Sequence, residues 1–555
     1  MKRYFLAVVA LLFFISSCMH RKNDASGIAR PKLVIGIVID QMRWDYLYRF
    51  YNRYGNGGFK RLMNEGYKCE NTNVSYLPSY TAPGHTCIYT GSVPSIHGMA
   101  GNNWIDNQTG RSWYCVDDDA ARQVGDKSNN PSFSPRNLYT TTITDELKLA
   151  TNFRARTYGI AIKDRGAILP AGHAADAAYW YDDKTGYFVT STYYKPEHQN
   201  PAWLQNFNKR EMADSLAKLN WSLLYDSSTY LYSTKDMTEY EDAFKGESAP
   251  VFPHKVNMLG KQDRVAAIKT MPAGNTFTLA MARACINGEQ LGSHDETDFL
   301  AVSLSSTDYA GHQFGPNALE MEDMYLRLDK DLADFFSYLD NTVGKGNYLL
   351  FLTADHGAAH NPKFLIDNNI PAGIAMNVAA DLNNYLKTEF KTDSPLVRGV
   401  MNYQVFLNDD NIAANKKLHR DEIKTSIRNW ILNTMQKTYK VDVSYVLDME
   451  NLNSTPVPEP MRTMAINGYN YKRSGCLQII LNPGWFESDR FTGTTHGSWN
   501  PYDTHIPLLW YGWHIPKGET ARPVGMIDIT PTLAALLHIQ TPNGSIGKPI
   551  EGIVK

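Results

Sequence analysis

Apolar residues gather along this chain in short unbroken runs, and several runs stop at a charged residue. Leu33-Val34-Ile35-Gly36-Ile37-Val38-Ile39 is rich in β-branched residues and ends at Asp40. A strand with one wet face alternates apolar and polar residues, so an unbroken run predicts a central strand buried on both faces. Tyr158–Ile162 precedes Lys163, Phe299–Leu304 precedes Asp308, Tyr348–Leu352 leads to Asp355, and Ile506–Tyr511 follows His505. Leu319, Met321, Met324, Tyr325, Leu328, Leu332, Phe335, Phe336 and Leu339 recur at spacings of about three and four, the stripe of an amphipathic helix. Strand, helix, strand in that order predicts a βαβ unit and a parallel sheet. A helical stretch is expected from about Trp44 to Gly66, and another from Thr530 through Ile539. The fold class is therefore α/β: a central, mostly parallel sheet flanked by helices.

Two stretches depart from this rhythm. Residues from about 183 to 272 are rich in Tyr, Trp, Asn, Asp and Ser, and residues from about 361 to 475 are mixed, both with weak periodicity. They are expected to be cap insertions on one catalytic domain spanning 31–555. The start of the chain differs again. Lys2 and Arg3 precede the apolar run Tyr4–Ile15, which is short for a bilayer span and has the layout of a signal peptide over 1–17. Ile15-Ser16-Ser17-Cys18 resembles a lipobox, so Cys18 is the expected lipidation site, followed by a polar tether over 18–30. The expected location is the periplasm or the outer membrane of a Gram-negative-type bacterium, with membrane contact only through that lipid.

Composition narrows the function. Apolar residues make up 43% of 555, enough for a sizeable core, and the formal charge of −2 gives no reason to expect a nucleic-acid partner. No protein partner is indicated. Cys69, Cys87, Cys115, Cys285 and Cys476 show no Cys-x-x-Cys spacing, which argues against a thiolate zinc site. An odd number leaves at least one free, and the better reading is small buried residues.

The chemistry lies at the predicted strand ends. In open α/β sheets ligands bind outside the carboxyl ends of the strands. Asp40, Asp308 and Asp355 all fall there, and gathered carboxylates repel one another unless cations lie between them. Asp308 and His312 are spaced i, i+4, which lets both reach one metal from a helical turn. His356 adjoins Asp355, and His496 sits in the glycine-bounded loop Gly493-Thr494-Thr495-His496-Gly497. Mixed Asp and His donors suit zinc better than calcium or magnesium. Each piece alone is weak, since Asp-x-x-x-His is commonly a surface pair and Asp-His-Gly a turn. The force lies in the ordered set.

That set carries a resemblance. Asp40, Thr-Asp-Tyr-x-Gly-His at 307–312, Ala-Asp-His-Gly at 354–357 and Gly-Thr-Thr-His at 493–496 resemble the alkaline phosphatase superfamily, and most closely the bacterial PafA-type alkaline phosphatases. Val38 to Tyr46 and Gly91 to Gly98 extend the likeness over nearly the whole mature chain. The resemblance implies two Zn²⁺ per chain, one held by Asp308, His312 and His496, the other by Asp40, Asp355 and His356 with the nucleophile oxygen. It places the nucleophile at Thr81, in Pro78-Ser79-Tyr80-Thr81-Ala82-Pro83-Gly84-His85-Thr86, with Ser79 as the rival. Pro83 and Ser79 depart from the family pattern, and Pro83-Gly84 is expected to open a helix just after the nucleophile. The resemblance further implies that Lys163, Arg165 and Asn102 bind the non-bridging phosphate oxygens. His85, His97, His173, His360 and His505 are left as structural or supporting.

The implied activity is hydrolysis of phosphate monoesters through a phosphothreonine on Thr81. A phosphodiesterase or nucleotide pyrophosphatase shares every metal ligand; Lys163 and Arg165, two cations suited to a dianion, weigh against it. A sulfatase would need a Cys/Ser-x-Pro-x-Arg motif, which is missing around Thr81. An inactive zinc-binding surface lipoprotein would predict missing ligands, yet all six Asp and His positions are filled.

Overall fold

In a computed structural model, residues 28–125, 130–452 and 456–554 are described. The expected signal peptide, Cys18 and most of the tether lie outside them. Five strands form a parallel centre: β1 (Leu33–Ile39), β2 (Thr157–Ala161), β3 (Ala177–Asp182), β4 (Asp298–Leu304) and β5 (Tyr348–Thr353). Their spatial order is β5-β1-β4-β2-β3, every neighbour parallel. Every residue of β1, β2, β4 and β5 is buried, as their unbroken apolar runs require. Further strands extend both edges to an eleven-stranded sheet, beginning with β6 (Leu508–Gly512), antiparallel to β5, and Tyr187–Ser191, antiparallel to β3.

The register levels the strand ends. Ile39 pairs with Leu304 across β1 and β4, and Val38 with Thr353 across β1 and β5. Asp40, Asp355 and the helix after β4 therefore emerge side by side. Four helices matter here: α1 (Thr81–Thr90), α2 (Asp164–Ala171), α3 (Ser306–Phe314) and α4 (Leu319–Leu339). The buried face of α4 contains every position of the predicted stripe.

Three local expectations are corrected. The stretch from Trp44 to Gly66 is not one helix but short pieces at Tyr46–Arg49, Tyr51–Arg53 and Phe59–Glu65. Gly55, Gly57 and Gly58 fall between them, and glycine is costly in a helix interior. The run Ile506–Tyr511 divides at Pro507, which has no N–H for a ladder. His505–Ile506 pairs with Thr72–Asn73, while β6 enters the main sheet. The helix expected after Thr81 begins at Thr81 itself, placing Pro83 in its first turn, where a missing N–H costs nothing.

The two weakly periodic stretches contribute differently. From the first, Tyr187–Ser191 joins the main sheet, and Leu204, Phe207 and Ala213 pack into the main core. The second contributes a separate antiparallel sheet, with Leu477–Leu481 from just beyond it, ordered Val397–Met401, Gln404–Leu407, Leu477–Leu481, Val443–Asp448. Its own core includes Leu382, Val405, Ile423 and Ile427, and Tyr80 packs against it. All five cysteines among the described residues are buried and free. No helix among those residues is long and apolar enough to cross a membrane.

Candidate metal and phosphoryl-transfer site

Adjacent strands deliver the candidate residues in spatial order. β5 ends before Asp355 and His356, β1 before Asp40, β4 before the α3 residues Asp308 and His312, and β2 before Lys163 and Arg165. Thr81 is the first residue of α1, entered from Tyr80 in extended conformation. This helix sits close: a Cβ on Gly84 would lie 2.6 Å from the Asp355 carbonyl oxygen. Only glycine lets α1 bring Thr81 this near the strand ends.

Two donor groups form, one from Asp40, Asp355 and His356, the other from Asp308, His356 and His496, with ligand atoms within 4.8 Å of one another in each. Five of the six expected residues fall in these groups; His312 is in neither, and His356 is in both. His356 faces both groups and stacks on His496 at 3.5 Å between ring centroids. His312 approaches the second group through Asp308, its Nε2 3.2 Å from Asp308 Oδ1.

The residues present fit divalent cations. Asp40 Oδ1 and His356 Nε2 are buried and make no hydrogen bond. Buried polar atoms left this way demand a partner. The three histidines are also preset. Nδ1 of His312 lies 2.8 Å from the Thr494 carbonyl, that of His356 3.0 Å from the Gly357 carbonyl, and that of His496 2.7 Å from the Ser79 carbonyl. A carbonyl only accepts, so each Nδ1 carries a proton, and Nε2 is the atom left to offer a metal its lone pair when the ring is neutral. Ser79, the rival nucleophile, turns its hydroxyl to the Ser498 carbonyl at 3.2 Å. Its role is to orient His496.

Electrostatics sharpen the demand for positive charge. Burial, then the charges of Asp308 and Asp355, raises the Asp40 carboxyl well above its usual range. Burial also pushes Asp308 up, but His312 and Lys163 outweigh it and hold Asp308 well below. Burial, then His356 and His312, holds the His496 imidazolium far below the usual range. Lys163 is inserted among these acids: its Nζ lies 2.7 Å from Asp40 Oδ2, 2.5 Å from Asp308 Oδ2 and 3.4 Å from Thr81 Oγ1.

Arg165 Nη1 donates to the Tyr114 hydroxyl at 3.0 Å, and the same hydroxyl bonds Asp164. Asn102 Oδ1 accepts from the Ala82 amide at 2.9 Å, which leaves its NH₂ group to donate elsewhere. Tyr114 was not singled out from the sequence, nor was Gln41. His85, left as a supporting residue, places Nδ1 2.9 Å from the Thr81 carbonyl and 3.2 Å from Asp355 Oδ2, with Nε2 2.8 Å from Ser303 Oγ. His97, His173, His360 and His505 contact no donor-group residue: their ring nitrogens engage Cys87 and the Met99 amide, the Thr140 carbonyl, Asn317 and the Glu70 carbonyl respectively.

Known proteins place this arrangement among relatives. The sequence profile of the family described as Type I phosphodiesterase / nucleotide pyrophosphatase matches residues 34–503. The chain is 49% identical over 565 residues to alkaline phosphatase PhoV of Synechococcus elongatus, covering all of both chains. It is 46% identical to alkaline phosphatase PafA of Elizabethkingia meningoseptica, covering all of this chain and 99% of that one. It is also 51% identical, over 95% of both chains, to a Myroides odoratus protein named a calcium-transporting ATPase. The crystal structure of wild-type PafA matches with a TM-score of 0.90 at 47% identity, covering 96% of this chain and 100% of that one. A PafA variant altered at one threonine, one asparagine, one lysine and one arginine matches equally, at a TM-score of 0.90.

Proposed function

The chain belongs to the Type I phosphodiesterase / nucleotide pyrophosphatase family of the alkaline phosphatase superfamily, and on that premise we propose that it is an alkaline phosphatase hydrolysing phosphate monoesters with Thr81 as nucleophile. One observation carries this reading. Thr81 opens α1 with its hydroxyl 3.4 Å from a buried ammonium, beside two convergent carboxylate–imidazole groups.

Two divalent cations, zinc by donor chemistry, would be held by Asp40, Asp355 and His356 and by Asp308, His312 and His496, and would supply Lewis acidity to the reacting oxygens. The chain's own residues do the rest. Thr81 Oγ attacks phosphorus as the bond to the leaving oxygen breaks, giving a phosphothreonine and the free alcohol. Water then attacks the same phosphorus and restores Thr81. Lys163, Arg165 and the Asn102 amide donate to the non-bridging oxygens. Thr81, Asn102, Lys163 and Arg165 are the four residue types altered in the PafA variant, in the same chain order. That supports their assignment.

A diesterase reading has the family description in its favour. Lys163 and Arg165 decide against it, because two fixed cations match a dianionic monoester better than a monoanionic diester. Export and lipidation at Cys18 are proposed from the N-terminal sequence, and a one-catalytic-domain organisation from the fold's single main sheet.

The test pairs aryl phosphate monoester and diester substrates with zinc-supplied enzyme and the Thr81→Ala variant. Strong monoester preference, abolished by chelator and severely reduced in Thr81→Ala, supports the phosphatase. Diester preference overturns the roles of Lys163 and Arg165.

A further inference from the structure

The structure assigns Gln41 a role the reaction scheme above does not include: it sets the spacing between the two metal-binding groups. This rests on the two-metal reading. Gln41 follows Asp40 at the end of β1, the strand between β5 and β4. From there it reaches both sides. Its backbone N–H donates to Asp355 Oδ1 at 3.2 Å, and its side-chain Nε2 donates to Asp308 Oδ1 at 2.8 Å. One residue thus holds a carboxylate from each group, while its neighbour Asp40 is itself a candidate ligand.

Two further features mark the position as built. Gln41 has φ 65°, an uncommon conformation for a residue other than glycine, and it is 2% exposed. A strained residue is kept only where its surroundings over-determine it. Its amide also needs room made for it. A Cβ on Gly311 would lie 1.9 Å from Gln41 Oε1, so only glycine in α3 leaves space for the side chain. Gly311 adjoins His312, and the cradle therefore lies between two candidate metal ligands of α3.

Donors of this kind orient a carboxylate and fix which oxygen lone pair faces the metal. With Lys163 on Oδ2 and Gln41 on Oδ1, both oxygens of the Asp308 carboxylate are held by donors. Gln41 touches neither substrate nor reacting atoms in this account, and so is a positioning residue.

The test uses Gln41→Gly and Gln41→Glu in the full chain. Glycine deletes the amide yet accepts φ 65° without strain, which offsets part of the lost packing and hydrogen bond, so the metal-free variant should still fold and melt cooperatively. Zinc affinity, measured by competition with a chromophoric chelator, should nevertheless fall about 10–100-fold. Gln41→Glu keeps the shape but turns a donor into an acceptor facing Asp308, and should bind zinc more weakly still. Gln41→Gly retaining two zinc ions per chain at wild-type affinity would overturn the proposal, whatever its turnover. Wild-type enzyme that binds no zinc would instead sink the two-metal reading, and this proposal with it.

Discussion

The ammonium of Lys163 and the carboxylate of Asp308 meet at 2.5 Å, with each side chain only 2% exposed. Lys163 also pairs with Asp40 at 2.7 Å. Burial alone would depress a lysine, but Asp308 and then Asp40 outweigh it and raise the Lys163 pKa above its ordinary value. Its carboxylate neighbours therefore favour the charged form. A cation beside Thr81 should favour the more negative substrate.

Replacing Lys163 with Met, which keeps the length and removes the charge, should cost monoester kcat/KM about 10²–10³-fold. The diester carries one negative charge fewer and should lose much less. Parallel kinetics on both substrate classes check this, and equal losses would refute the assigned role.

Tyr114 tests the second cation. Its hydroxyl lies between Asp164 and Arg165 Nη1, and so fixes the guanidinium's direction. Tyr114→Phe deletes both of the hydroxyl's bonds, to Arg165 and to Asp164, and keeps the ring. A hydrogen bond to a charged group is worth about 1.5–3 kcal/mol, so monoester kcat/KM should fall roughly 10-fold or more. Diester turnover should change little, and an Arg165→Ala background should abolish the effect of Tyr114→Phe.

The strands of the parallel centre were legible because each is buried on both faces, so the apolar run marks the whole element. The acids at their ends were legible for the same reason: Asp40 and Asp355 interrupt or follow a run that leaves no other polar residue to choose. The second sheet was not. Its strand Val397–Met401 alternates only partly and includes a register shift between Val397 and Gly399, so no clean period survives. Gln41 and Tyr114 were missed because each is a lone polar residue whose partners lie far along the chain. For Gln41 the only sequence signal was its place immediately after a strand-end acid. The grouping of His356 with His496 was also beyond reach, since it depends on a loop 140 residues later closing over β5.

Gly84 probes how closely α1 must approach. Alanine there would press against the Asp355 carbonyl at 2.6 Å and its Cβ at 2.7 Å. Both atoms belong to Asp355, whose backbone and candidate metal-ligand side chain cannot yield together, so the helix must shift and carry Thr81 with it. Displacements of about 1 Å at a reacting group cost on the order of 10²-fold in rate. Gly84→Ala should therefore lose at least that in kcat while retaining the wild-type circular dichroism spectrum. Activity within a fewfold of wild type would show that α1 tolerates the shift.

A buried acid outside the site makes a prediction about pH and stability. Glu241 is 6% exposed, and neither of its carboxylate oxygens makes a hydrogen bond. Burial, then the charge of Glu320, pushes its pKa from 4.5 up to about 9. Below the lower value both the folded and the unfolded chain hold the proton. Between 4.5 and about 9 the unfolded chain has released it while the folded protein retains it. Unfolding then releases a proton, so this group's contribution falls steadily as pH rises and is lost by about pH 9. Glutamine has the same shape and no proton to lose. Glu241→Gln should accordingly match wild type in melting temperature near pH 5 and gain on it progressively towards pH 9. The gap should stop widening above that point, because both states of wild type are then ionised. Thermal denaturation of the two proteins across that range, each saturated with zinc, gives the comparison; a constant difference at every pH would mean that Glu241 is already ionised in the folded protein.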